Sequence, residues 1–300
     1  MAGGELRAGP LALLMVLPAL VFLLAIIAYP VLYALWLSLH EVTLGGLAKG
    51  QTPFVGLQNY AKLLRDATFW HAMLNSAQFV SLSVALEVTL GLTIALIIND
   101  RSARFFAGVN KTLMLLPWAV PPIANGLMWF YIYNPSFGYL NVILYDLGII
   151  NKFMQFAGNF RLAMICVVVA FVWRVTPFSV LLLHAALQGI PEELYDAAKV
   201  DGCSAWNRFR FVTLPLIRPT LTIILVLRTA FAFMVFEEIF AITSGGPGDT
   251  TWVASWYTYQ HAFSYLEIGV GAAAAYIMTL VVALVTTIYI LVIYRRVEYA

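Results

Sequence analysis

Between two long apolar runs lies the stretch Gln188-Gly189-Ile190-Pro191-Glu192-Glu193-Leu194-Tyr195-Asp196-Ala197-Ala198-Lys199-Val200-Asp201-Gly202-Cys203-Ser204-Ala205-Trp206-Asn207-Arg208-Phe209-Arg210-Phe211-Val212-Thr213-Leu214-Pro215. Its local chemistry reads as two short helices. Pro191 opens the first, with Glu192 and Glu193 in the first turn, where the helix dipole favours acids. Gly202 supplies the turn, and Ser204 is placed to cap the second helix. Pro215 and Pro219 frame the start of the next apolar run. Each short helix carries an apolar edge, which predicts that something docks there.

What flanks this loop is lipid-like. The chain has 300 residues, 62% hydrophobic and only 11% charged. Globular proteins average roughly 45–50% apolar and about 25% charged. The mean hydropathy is +0.87. So few charges cannot cover a soluble surface, and the composition specifies a polytopic membrane protein. A net charge of +2 offers no field to recruit polyanions. Disorder, nucleic-acid binding and a secreted disulfide scaffold are excluded. Cys166 and Cys203 form no framework, and no His, Cys or Asp cluster has metal-ligand spacing.

A membrane helix needs about 20 apolar residues. Six such runs are expected, at about 11–39, 73–98, 112–133, 162–187, 217–243 and 268–294. The first is too long for a signal peptide and lacks a small-residue cleavage site, so it reads as a retained helix. Six spans put both termini on one side. That side collects ten Lys and Arg, among them Arg7, Arg101, Arg104, Lys111, Lys199, Arg208, Arg295 and Arg296. The other collects five: Lys49, Lys62, Arg65, Lys152 and Arg161. The bias predicts cytoplasmic termini and a cytoplasmic 188–215 loop. In the outer loop 40–72, Tyr60, Leu63, Leu64 and Ala67 repeat at helical spacing and predict an amphipathic helix. Residues 134–160 and 244–266 are rich in Gly, Pro and aromatics and are expected over the outer mouth.

The loop also resembles a known family. Asp196-Ala197-Ala198, three residues, Gly202, nine residues, then Val212-Thr213-Leu214-Pro215 is similar to the E-A-A-x3-G-x9-I-x-L-P signature of permease subunits of binding-protein-dependent ABC importers. Asp196 stands for Glu and Val212 for Ile. Three further stretches look like the carbohydrate-uptake branch of maltose, trehalose and glycerol-phosphate permeases. They are Ile190-Pro191-Glu192-Glu193-Leu194-Tyr195, Phe236-Glu237-Glu238-Ile239 with Thr243-Ser244-Gly245-Gly246-Pro247, and Phe54-Val55-Gly56-Leu57-Gln58-Asn59-Tyr60. The resemblance runs from about residue 10 to 296.

It implies an all-α type I importer fold of six transmembrane helices in one permease domain over 1–300, with a core of about 73–296 and the coupling loop at 188–215. It further implies an inner or plasma membrane location, a second permease subunit of a different chain, two ATPase subunits and an extracytoplasmic solute-binding protein. The solute would be a sugar or sugar derivative moved into the cytoplasm. Glu193, Asp196, Ala197, Ala198, Gly202, Phe209, Leu214 and Pro215 would carry the coupling to the ATPase. A P-loop needs glycines ahead of Lys-Ser or Lys-Thr. Asn110-Lys111-Thr112 has none, so ATP and Mg are expected on the partner subunits, with no cofactor and no enzymatic activity in this chain.

Ionisable residues at membrane depth are costly and default to functional hypotheses. Five lie inside the expected spans away from their ends: Glu87, Arg174, Arg228, Glu237 and Glu238. In the resembling family the Trp173-Arg174-Val175-Thr176-Pro177-Phe178 stretch lines the solute path, with Arg174 and Phe178 at positions facing it. Pro177 is expected to widen that span locally. On the fifth span, a helix at 100° per residue puts Arg228, Ala232, Val235 and Glu238 on or near one face, with Glu237 opposite. Glu87 is left between a bond to a neighbouring helix and a functional role, and His184 reads as an interface residue. The arginines suit either a neutral sugar or an anionic one such as a sugar phosphate. An ion-gradient transporter is the rival reading. It should show matched halves with interrupted helices, and spans one to three do not repeat in spans four to six.

Overall fold

The computed structural model describes residues 8–99 and 114–293. In chain order its helices are α1 (Ala8–Leu23), α2 (Tyr29–Ser38), α3 (Leu44–Ala48), α4 (Gln58–Arg65), α5 (Ala67–Asn99), α6 (Pro122–Ile132), α7 (Tyr139–Asp146), α8 (Ala163–Gln188), α9 (Glu192–Val200), α10 (Ala205–Arg208), α11 (Leu214–Phe233), α12 (Glu237–Ile242), α13 (Ala254–Tyr259) and α14 (Ile268–Ile293). Five helical stretches among the described residues are long and apolar enough to cross a membrane: 15–38, 67–99, 163–188, 205–233 and 268–293. Of the expected charge bias, Arg7, Arg101, Arg104, Lys111, Arg295 and Arg296 lie outside the described residues.

The expected third span, 112–133, is not one helix. Residues 114–119 are helical, but Pro121 is extended at φ −56°, ψ 141°, and α6 begins only at Pro122. A proline lacks the N–H to continue a helix and pushes its predecessor out of the helical region, so consecutive prolines end one helix and begin another. The expected fifth span, 217–243, also breaks. α11 ends at Phe233, and Phe236, at φ −140°, starts α12. The carbonyl of Val235, needed to carry the helix onward, instead accepts from Ser255 Oγ. Glu237 and Glu238 then occupy the first turn of α12, where acids are favoured. The expected widening at Pro177 is absent: α8 runs on as α-helix from Ala163 to Gln188. Wider i→i+5 turns occur elsewhere, at Leu24–Ala28, Phe209–Thr213 and Gln260–Ser264.

The chain forms two compact units. Among the described residues, one comprises 8–66 and 258–277, the other 67–99, 114–257 and 278–293. In the first, Asn59 on α4 donates from its amide to Ser38 O at 2.8 Å and His40 O at 2.9 Å. The amphipathic expectation for α4 holds in part. Leu63 is fully buried, but Leu64 is exposed, and the helix ends at Arg65 so that Ala67 starts α5.

The second unit is built on the pairing of α5 with α8, its most extensive helix contact. Phe79, Val80 and Val84 pack on Val167, Phe171 and Val175. The two helices approach closely where Gly91 faces Ser179, since a Cβ on Gly91 would sit 3.2 Å from Ser179 Cβ. Small residues at a crossing let membrane helices meet backbone to backbone. α6 and α12 are held as tightly: a Cβ on Gly126 would fall 2.6 Å from Ala241 Cβ.

Candidate functional site: a paired charge cluster and an open 188–215 loop

Four of the five in-span charges form two ion pairs inside the second unit. Arg228 Nε on α11 lies 2.7 Å from Glu87 Oε1 and donates to Oε2 at 2.9 Å. Their side chains are 6% and 0% exposed. Ser179 Oγ donates a third bond to Glu87 Oε1 at 2.6 Å. Arg174 Nε on α8 donates to Glu238 Oε1 at 2.9 Å, with side chains 15% and 1% exposed. Asn125 on α6 donates to the same Oε1 at 3.4 Å and to Ala170 O at 3.1 Å.

The Phe171 ring stands between the pairs, 5.7 Å from Arg174 Cζ and 5.8 Å from Arg228 Cζ. Each such contact adds about 0.5–2 kcal/mol. A lone charge at bilayer centre costs roughly 2.5–3.5 kcal/mol on insertion scales. Pairing removes the reason for that cost, and it ties α5, α6, α8, α11 and α12 together through side chains rather than backbone.

The expected path residues separate into two groups. Trp173 is exposed, Phe178 is half-buried, and Arg174 reaches the surface in part. Phe178 stacks on Trp118 at 5.8 Å, and Trp173 meets Trp129 edge-on at 6.0 Å. Arg228, Ala232, Val235 and Glu238 are enclosed in the core. The expected Arg228-to-Glu238 stripe does not survive as helix geometry, because the break at Met234–Phe236 falls within it. Glu87 and Ser179 were not among the expected path residues, yet they complete the cluster. The readable signal was charge arithmetic: intramembrane cations pair with intramembrane acids, and the spans hold both.

The 188–215 loop has the expected two helices. α9 ends in a Schellman motif: Cys203 N donates to Ala198 O at 2.9 Å and Gly202 N to Lys199 O at 3.0 Å, with Gly202 at φ +73°. That left-handed turn is the conformation glycine adopts without cost. Ser204 Oγ caps α10 by accepting from Asn207 N at 3.3 Å. Arg208 Nη1 donates to Cys203 O at 2.8 Å, and the hydroxyls of Tyr195 and Thr213 meet at 3.0 Å.

Ala198 is buried and Phe209 half-buried, while Glu193, Asp196 and Ala197 face outward. Lys199 bonds Asp196 at 2.8 Å. Leu214 and Pro215 begin α11, both half-buried. The apolar side chains Val200, Trp206 and Phe211 point away from the unit, Val200 being 88% exposed. Beside them lies a cleft of about 1360 Å³ whose lining includes Thr89, Leu92, His184, Tyr195 and Trp206.

Residues 87–299 match the family described as "Binding-protein-dependent transport system inner membrane component". The chain is 39% identical over 285 residues to the trehalose/maltose transport system permease protein MalF of Thermococcus litoralis, covering 95% of this chain and 94% of that one. It is 35% identical over 289 residues to the trehalose transport system permease protein SugA of Mycobacterium tuberculosis, covering 96% and 90%. Its fold matches a crystal structure of a bacterial ABC transporter involved in the import of the acidic polysaccharide alginate, with a TM-score of 0.82 and 21% identity over 98% of each chain. The all-α importer-subunit architecture expected from the 188–215 loop is therefore the architecture found, and the chain belongs to the family of inner membrane components of binding-protein-dependent transport systems.

Proposed function

We propose that this chain is one of two permease subunits of an ATP-driven importer that carries a sugar or sugar derivative into the cytoplasm. The observation that carries this reading is near full-length similarity to permeases named for trehalose and maltose. The partner permease is a different chain. ATP is hydrolysed on two associated ATPase subunits, and an extracytoplasmic binding protein delivers the solute. Both termini and the 188–215 loop face the cytoplasm.

Coupling runs through α9 and α10. Glu193, Asp196, Ala197, Ala198 and Gly202 form the docking turn, and Phe209, Leu214 and Pro215 transmit its movement into α11. The wedge is braced by the Tyr195–Thr213 and Arg208–Cys203 bonds. The solute touches Trp173, Arg174 and Phe178. Arg228, Ala232, Val235 and Glu238 form the wall behind them. Aromatic faces with a few convergent donors are the usual furniture of a sugar-sized site.

The test is uptake of labelled trehalose and maltose by proteoliposomes holding the whole complex, with binding protein and ATP. ATP-dependent accumulation is the expected outcome, and ATP-independent, ion-gradient-driven accumulation sinks the reading. Orientation is checked with single cysteines in a cysteine-free background. Lys49→Cys should react with an impermeant thiol reagent in intact cells and Val200→Cys should not.

A further inference from the structure

The charge cluster holds two arginines and two glutamates, so its formal charges cancel. The cancellation is not the same at the two arginines. Arg228 is enclosed, and Glu87 meets its Nε with both carboxylate oxygens. Both arginines spend only their Nε on a carboxylate, but the Nη2 of Arg228 is buried without a partner among the described residues, whereas the two Nη groups of Arg174 also donate to nothing among the described residues on a side chain that keeps 15% exposure. Arg174 thus offers hydrogen-bond donors to the surface while its charge is balanced from behind. Trp173, and Phe178 stacked on Trp118, flank it with aromatic faces.

Resting on the sugar-importer reading, we infer that Glu238 is a specificity residue. By cancelling Arg174 it makes this wall accept uncharged, hydroxyl-rich solutes and refuse anions such as sugar phosphates. An anion leaving water for a low-dielectric passage needs net positive charge to replace its hydration. At Arg174 it would meet a guanidinium already neutralised at 2.9 Å, with a buried carboxylate directly behind. A sugar hydroxyl needs only the free N–H groups. Asn125 supports the arrangement by holding Glu238 Oε1 from the α6 side, which makes it a positioning residue.

The test uses the purified importer complex in nanodiscs without binding protein, with radiolabelled inorganic phosphate and trehalose as separate probes in equilibrium dialysis. The wild-type complex should bind phosphate about tenfold or more weakly than trehalose. Glu238→Gln exposes the Arg174 charge and should raise phosphate affinity by about tenfold or more, with steep salt dependence. Arg174→Gln combined with Glu238→Gln should abolish that gain. Glu237→Gln, which removes the same formal charge one residue away, should leave both probes unchanged. Equal binding of phosphate and trehalose by the wild type overturns the inference, as does an assembled Glu238→Gln complex with unchanged phosphate affinity. Should Glu238→Gln not assemble, the wild-type ratio and the neutral double variant decide. Phosphate behaving as expected while no sugar binds or is imported overturns the sugar-importer reading alone.

Discussion

The charge cluster and the 188–215 loop treat their awkward groups in opposite ways. In the cluster, charged side chains that membrane depth penalises are satisfied within the chain: Glu87 by Arg228 and Ser179, Glu238 by Arg174 and Asn125. In the loop, the backbone is satisfied by the Schellman turn and the Ser204 cap, but Val200, Trp206 and Phe211 are left pointing outward. A region whose charges are paired within the chain is built to persist. A region that closes its backbone and leaves apolar side chains open is built to be completed by another molecule. A variant that splits the enclosed Glu87–Arg228 pair should therefore be read out in stability of the fold, and a variant in the second region in work done with partners.

The largest effect should come from splitting the Glu87–Arg228 pair. Breaking a buried ion pair costs about 3–5 kcal/mol, because the remaining charge is uncompensated. Glu87→Ala and Arg228→Ala should each lower the thermal unfolding midpoint in detergent sharply and reduce the amount of protein in membranes. Glu87→Leu combined with Arg228→Met should recover most of that loss, since apolar replacements of similar volume leave no orphaned charge. If the single variants unfold like the wild type, the cluster is not the structural tie described here.

Next comes Gly202→Leu. The glycine sits at φ +73°, and a Cβ there would meet nothing within 4 Å among the described residues. The internal cost lies in the backbone, about 1–2 kcal/mol for a side-chain-bearing residue in the left-handed region. The variant should insert and assemble, yet hydrolyse ATP without accumulating sugar, because the added side chain projects where the ATPase is proposed to dock. Normal uptake would remove Gly202 from the coupling surface.

These two regions were not equally legible. The loop was readable because its determinants are local. Pro191 starting a helix, Gly202 turning it and Ser204 capping the next need no knowledge of the rest of the chain. The cluster depends on contacts between Glu87 and Arg228, 141 positions apart, and between Arg174 and Glu238, 64 apart. Residue types identified the charges as costly, but only packing could assign partners. The two broken spans divide the same way. Pro117, Pro121 and Pro122 carry the first break in the sequence itself, although the expected single span 112–133 runs through them. The second depends on Ser255 taking the Val235 carbonyl, a competitor 20 residues downstream that helix periodicity does not register.

A smaller effect should follow from the outward apolar side chains. Exposed substitutions away from special features usually change stability by no more than about 0.5 kcal/mol. Trp206→Ala and Phe211→Ser should therefore unfold like the wild type while weakening ATPase co-purification and lowering uptake. A marked loss of thermal stability would mean that these residues pack on their own chain.

The smallest effect concerns a third ion cluster, on the surface of the first unit, that calibrates the buried two. Lys62 Nζ donates to Glu267 Oε1 at 2.8 Å, and His261 Nδ1 donates to Oε2 at 2.9 Å. Partial burial pushes the Glu267 carboxyl up, but the bonds from Lys62 and then His261 outweigh it and hold the group below the ordinary carboxylate value. A depressed carboxylate contributes stability that is fully present above its unfolded-state value and lost as pH falls through the lowered folded value. Amide exchange at Gly269, whose N–H bonds Val42 O at 3.2 Å, should then stay protected from neutral pH down through the ordinary carboxylate range and weaken only below it. Lys62→Met should move that loss to higher pH. The change should be small, since exposed pairs contribute about 0–1 kcal/mol and are screened by salt. Identical pH profiles for Lys62→Met and wild type would show that the surface pair contributes nothing. A Lys62→Met effect as large as that of Glu87→Ala would contradict the ranking by burial on which the contrast between the regions rests.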